Sequence, residues 1–201
     1  MNIYIESNFV LELTLLQEDH DNCERILSLC ENGQAKLILP AYAFIEPNET
    51  LIRYERERTG LANAVASELN QLGRSFSYKT EADTYRPFVS LLTRSGAEQR
   101  QRLIAVSQRL LRIAELIPLD ISILTSSFKY QTDYNLSPQD AVIFASVMQH
   151  LSMAQTSTTS SCFIDRDKHF ADLDIREILA EYDCKILFSF KNGYSYIQSQ
   201  I

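Results

Sequence analysis

Short apolar runs separated by segments of helical period constrain this chain more than any other feature. Ile3-Tyr4-Ile5, Lys36-Leu37-Ile38-Leu39, Cys162-Phe163-Ile164 and residues 184–188 are each three to five residues long and mostly apolar. Runs of that length and character read as buried strands. Between them the pattern turns helical. One helix fits residues 8–17. Another fits 21–31, where Cys23, Ile26, Leu27 and Cys30 share a side and Gly33 supplies the stop. Pro40 ends the second strand, and a helix follows from Ala41 with a kink or early turn expected at Pro47.

Residues 51–116 stay helical in pattern, with breaks expected near Gly60, Gly73 and Arg94-Ser95-Gly96. Leu103, Val106, Leu110, Ile113 and Ile117 recur at three- and four-residue steps, and Arg102 and Arg109 share another face. A helix at 121–134 is followed by the turn Asn135-Leu136-Ser137-Pro138. The segment QDAVIFASVMQHL is apolar nearly all round, which marks a buried helix. TSTTSS reads as a polar loop and residues 175–182 as a last helix. Strands alternating with helices give an α/β class with a mainly parallel sheet. Nothing suggests a repeat or an interdomain linker. The expectation is a single domain over residues 1–201, with an inserted helical arm at about 51–116.

The formal net charge of -7 argues against a protein that coats nucleic acid non-specifically. The charge is uneven, however. Residues 53–112 hold 11 Lys and Arg against 6 Asp and Glu, leaving 8 against 20 elsewhere. An acidic site beside a basic surface suits a polyanionic substrate, although a solvated helical face would also account for these arginines. Cys23, Cys30, Cys162 and Cys184 show no Cys-x-x-Cys pair and no Cys/His metal spacing, so they read as buried thiols in a reducing compartment. No basic-then-apolar leader opens the chain, and no apolar run approaches the ~18 residues that span a bilayer. A cytoplasmic protein with no membrane partner is expected.

In parallel α/β sheets the functional crevice lies beyond the carboxyl ends of the strands. Acids placed there carry the chemistry. Glu6 directly follows the first strand. Its plain reading is a solvated residue ahead of a helix capped by Ser7. Glu46 lies six residues past the second strand among apolar neighbours, and a buried carboxylate needs a partner or a metal. Glu49 is the alternative there. Asp140 can serve as the third residue of a capping box opened by Ser137 and Pro138, yet it also begins a buried helix. Asp165 and Asp167 follow the third strand; one can bind while the other caps the short turn at Lys168-His169-Phe170. His20, His150 and His169 form no ligand pair.

Each acid has a local explanation, but their joint placement does not. Carboxylates brought together repel and take up protons unless a cation lies between them. An all-oxygen set without a His or Cys cluster selects Mg²⁺ or Mn²⁺ over Zn²⁺. Asn8 would orient a water, a phosphate oxygen or a neighbouring carboxylate.

The order IYIESN, PAYAFIEP, LSPQDAVIFAS, FIDRDKHF resembles the PIN-domain nucleases, including the VapC-like toxins. In that pattern an acid, a hydroxyl residue and Asn follow the first strand, here Glu6, Ser7 and Asn8. A Glu follows the second strand, here Glu46. An Asp opens a buried helix, here Asp140, and the last acid falls on Asp167. Three features depart from it. Glu6 stands where Asp is usual, Asp165 where Thr or Ser is usual, and His169 where a second Asp often occurs. The arm at about 51–116 has no counterpart in the pattern.

The resemblance implies a three-layer α/β/α sandwich and a metal-dependent endoribonuclease. Glu6, Glu46, Asp140 and Asp167, with Asp165 as a further ligand, would hold one or two Mg²⁺ or Mn²⁺ ions. In-line attack by water would leave a 5′-phosphate and a 3′-hydroxyl. Asn8 would join the catalytic set, and Ser7, Arg102 and Arg109 would contact RNA. A homodimer and a protein antitoxin are the partners that the family pattern suggests. The alternative from another class is a PIN-like interaction or regulatory module without catalysis. Aspartyl-phosphate phosphatases and receiver domains need an Asp or an acid pair after the first strand, which Glu6-Ser7-Asn8 does not supply.

Overall fold

The computed structural model describes residues 1–154, 160–166, 168 and 170–201. Asp167, His169 and most of the expected TSTTSS loop lie outside the described residues. Strands β1 (Asn2–Ile5), β2 (Lys36–Pro40), β3 (Glu115–Ile117), β4 (Ser161–Ile164) and β5 (Cys184–Leu187) form one sheet in the order β3-β2-β1-β4-β5. Every neighbouring pair is parallel. Ile3, Tyr4, Ile5, Leu37, Ile38, Leu39, Cys162, Phe163 and Ile164 are fully buried, as a parallel sheet covered on both faces requires.

Residue alternation along the strands identifies what covers each face. Tyr4 and its register partner Phe163 point towards helix α6 (Pro138–Ala154). There the Tyr4 hydroxyl bonds His150 Nδ1 at 2.7 Å, and Phe163 packs on Phe170, which stacks on Phe144 of α6. Ile5 and Ile164 point the opposite way. On that side Gly193 of α8 (Phe190–Gln200) approaches so closely that a Cβ would sit 2.5 Å from Ile164 Cδ1. Helices thus lie on both faces, an arrangement compatible with a three-layer α/β/α sandwich. Helices α1 (Ser7–Leu15), α2 (His20–Glu31), α5 (Ile121–Asp133) and α7 (Leu173–Glu181) complete the layers.

The arm is a hairpin of two long helices, α3 (Ala41–Leu72) and α4 (Lys79–Ile113). At 1.5 Å per residue, their 32 and 35 residues reach about 48 and 52 Å. Cross-links run antiparallel: Glu55 to Arg100, Arg58 to Ser95 and Gln99, Asn70 to Arg86. Of the breaks expected from sequence only Gly73 ends a helix, closing α3 with its N–H on the Leu69 carbonyl. The chain stays helical through Pro47, Gly60 and residues 94–96. A helical glycine costs about 1 kcal/mol, which continuous packing along the hairpin offsets. Gly96 has a use of its own, since it admits the Glu55 side chain against the α4 backbone. Pro47 lies in the second turn of α3 and is buried, and there it removes a single backbone donor.

Two elements depart from the sequence reading. Helical pattern was expected to run to residue 116, but α4 stops at Ile113 and Glu115–Ile117 pairs with β2 as β3. Ile117 fits the helical period, yet Pro118 disfavours a helical conformation for the residue before it. The sheet then gains a fifth strand rather than four. At the C-terminal end, α8 follows β5 and buries Phe190, Gly193 and Ile197, with Ser189 as its cap. All four cysteines are free and buried. Burial pushes the Cys30 and Cys162 thiols up to about 12 and raises Cys23 and Cys184 further, so none is a thiolate at neutral pH. Among the described residues no helix is long and apolar enough to cross a membrane.

Candidate functional site

The sheet grows from β1 through β2 to β3 on one side and through β4 to β5 on the other. Its direction of winding therefore switches between β1 and β4, and a crevice opens beyond their carboxyl ends. Ile5 and Ile164 are register partners at those ends. Glu6 and Asp165 accordingly leave the sheet side by side, from strands about 4.8 Å apart. Helix α3 starts directly after β2 and carries Glu46 in its second turn, and α6 carries Asp140 in its first. A cleft of about 220 Å³ is lined by Glu6, Ser7, Asn8, Glu46, Asp140 and Asp165. Leu11, Ile143 and Phe170 supply its apolar wall.

The carboxylates are held in different ways. Glu6 is 5% exposed and is itself the N-cap of α1, so it is not the solvated residue ahead of a Ser7 cap that the sequence suggested. Its Oε2 accepts from the Asn8 N–H at 2.8 Å and from the Ser7 hydroxyl at 3.2 Å. Ser7, expected at the substrate, thus lends its proton to orienting Glu6. Asp165 is 1% exposed, and its Oδ2 accepts from the Phe170 N–H at 3.1 Å. Asp140 and Ser137 bond reciprocally: the Ser137 hydroxyl accepts from the Asp140 N–H and donates to Asp140 Oδ2. The expected cap is therefore present, and it holds Asp140 at the cleft. Glu46 Oε2 is buried without a hydrogen-bond partner among the described residues. Burial, and then the nearby Glu46, Glu49 and Asp140, raise the Tyr42 hydroxyl above its ordinary range, which marks this edge as electronegative.

The donor set fits a hard divalent cation in kind: all oxygens, one of them a buried carboxylate oxygen in want of a partner. Among the described residues no group of three or more His, Cys, Asp or Glu is arranged to hold a metal ion. Asp167, the acid on which the sequence placed most weight after β4, lies outside the described residues.

Arg102 and Arg109 are not at the cleft. Arg102 Nε donates to the Thr14 carbonyl at 2.8 Å, tying α4 to the end of α1. Arg109 forks onto Glu24 and Glu31 of α2, at 2.8 and 3.0 Å, and these carboxylates raise its pKa further. Their charge is spent inside the protein, a use that helical spacing alone does not reveal. Arg109→Gln is expected to lower the unfolding free energy by about 1 kcal/mol, since both pairs are partly exposed. A urea titration reads this, and an unchanged midpoint would refute it.

Beyond the apolar wall, sequence reading missed three residues of the cleft: Thr50, Arg53 and Tyr54. They follow Glu46 on α3 at four, seven and eight residues, the spacing of one helix face, and that spacing was the available signal. Comparison with protein-family models, with curated proteins and with solved structures finds no match for this chain.

Proposed function

We propose that this protein is a metal-dependent endoribonuclease of PIN-like design. One observation carries the reading. Glu6, Ser7, Asn8, Glu46, Asp140 and Asp165 were singled out along 160 residues of sequence, and all line one cleft at the carboxyl edge of a parallel sheet. Mg²⁺ or Mn²⁺ would be held by Glu6, Glu46, Asp140 and Asp165, with Asp167, two residues further along the sequence, as a further donor. Such an ion, when bound, lowers the pKa of a coordinated water and screens charge on the phosphoryl group under attack. The chain's own residues prepare the place. Ser7 and the Asn8 backbone hold the Glu6 carboxylate to one orientation. The Ser137 hydroxyl does the same for Asp140. Phe170 and Ile143 keep one wall dry, which strengthens every charge interaction inside.

The test is cleavage of a mixed RNA pool in Mn²⁺ by the wild type and by Asp140→Asn. The wild type should leave 5′-phosphate ends. Removing one ligand charge should slow cleavage about 100-fold or more. A wild type that cuts nothing in any divalent ion, or a variant that cuts equally well, ends the reading.

A second reading, a binding module without catalysis, is favoured by Glu6 standing where the PIN pattern carries Asp, which moves the carboxylate out by one methylene. A Mn²⁺ titration separates the two. Binding that is lost in Asp140→Asn supports the nuclease; no binding by a folded wild type supports the module.

A further inference from the structure

The cleft has a cationic wall as well as an acidic floor. Arg53 lines it beside Tyr54, on the same face of α3 as Glu46 and Thr50. Four carboxylates border this space, yet among the described residues Arg53 makes no ion pair with any of them. Its guanidinium instead lies over the Tyr54 ring, 5.5 Å from the centroid. The ring is itself fixed. Arg58 lies over it at 5.6 Å, and Arg58 is anchored on α4 through Gln99 and Ser95. Tyr54 also packs against the hydrophobic core. On the facing helix α4, Arg100 is committed to Glu55, Arg102 to Thr14, and Arg109 to Glu24 and Glu31.

We infer that Arg53 is the phosphate-binding residue of this site and that Tyr54 is its positioning support. The inference rests on the nuclease reading and names the substrate contact that reading lacks. A guanidinium stacked on a ring keeps its N–H edge free and loses little freedom when it forks onto two phosphate oxygens. The carboxylates explain why such a residue is needed. An acidic floor repels a polyanion, so a strand entering the cleft needs a fixed cation at its rim. Glu46 and Arg53 are two turns apart on α3, about 10 Å along the axis. The phosphate assigned to Arg53 is accordingly one beside the cleaved bond, because Arg53 stands farther along α3 than Glu46 from the strand ends. The single strand is the form in question, because successive phosphates can turn into a narrow cleft only when the backbone is flexible.

The experiment is binding of a short single-stranded oligoribonucleotide in Ca²⁺, checked to remain intact, across a salt series. It is paired with steady-state cleavage in Mn²⁺. Arg53→Ala should weaken binding about tenfold or more. It should reduce the salt slope by about 0.7, the share of one phosphate contact. KM should rise while kcat stays within about twofold, because the contact lies away from the reacting bond. Arg53→Lys should keep the salt slope and recover only part of the affinity, since the point charge remains and the fork is lost. Tyr54→Leu should fall between wild type and Arg53→Ala. Unchanged affinity and slope in Arg53→Ala would overturn the inference while cleavage by the wild type left the nuclease reading standing. A loss of Mn²⁺ affinity in Arg53→Ala would also overturn it, by showing a structural role. A wild type that neither binds nor cuts RNA removes both.

Discussion

Arg166→Met is expected to lower the unfolding free energy at pH 7 by about 3–5 kcal/mol, the usual consequence of stranding one member of a buried ion pair. The stranded group is Glu12. It lies on α1 with its side chain fully buried, between the Asp19 N–H, which donates to Oε2 at 3.0 Å, and the Arg166 guanidinium, which pairs with Oε1. Arg166 itself is about a third exposed and also reaches Glu18, so the cost falls on the carboxylate. Urea titrations of wild type and variant at pH 7 read the loss. Glu12→Leu in the Arg166→Met background should recover much of the loss, because an apolar pair has no charge to desolvate. Equal midpoints for wild type and Arg166→Met at pH 7 would show that the pair anchors nothing. Arg166 directly follows Asp165, so the same pair pins the site loop to α1.

Phe144→Ala should cost a further independent 3–5 kcal/mol or so. Phe144 is fully buried on α6, one turn beyond Asp140. It stacks on Phe170 and meets edge-on the rings of Tyr130 of α5 and of Tyr134, the residue that caps α5, at 5.0 and 5.8 Å. Truncation opens a cavity between α5, α6 and the loop whose Phe170 N–H holds Asp165. Relaxation of that loop is the one way to reduce the cost, and it would move a cleft carboxylate. The thermal midpoint measures the first effect and Mn²⁺ affinity the second. Phe144→Leu should lose far less, since most of the volume stays. A truncation that leaves the midpoint within a degree would mean this aromatic cluster is not packed as described.

Much of this fold was legible because its signals are local. Four of five strands are compact apolar runs, and Asp140 sits behind a Ser-Pro start signal. β3 escaped because Leu110, Ile113 and Ile117 keep helical spacing up to a strand that exists only through pairing with β2. The hairpin was read as broken because Gly60 and Gly96 are weak helix formers in isolation, whereas each helix of the hairpin is stabilised along its length by packing on the other. Glu46, singled out by its place after the second strand, lines the cleft, while Arg53 and Tyr54, two turns on, carried no motif to draw attention.

From the order of its residues alone, this chain declares a parallel α/β sheet with acids at the ends of its strands. Periodicity and caps are short-range properties that each segment carries with it. Which arginines are spent on Thr14, Glu24 and Glu31, and which one faces the cleft, is settled only in three dimensions. A charge is committed or available according to what packs beside it, and those neighbours lie up to 88 residues away.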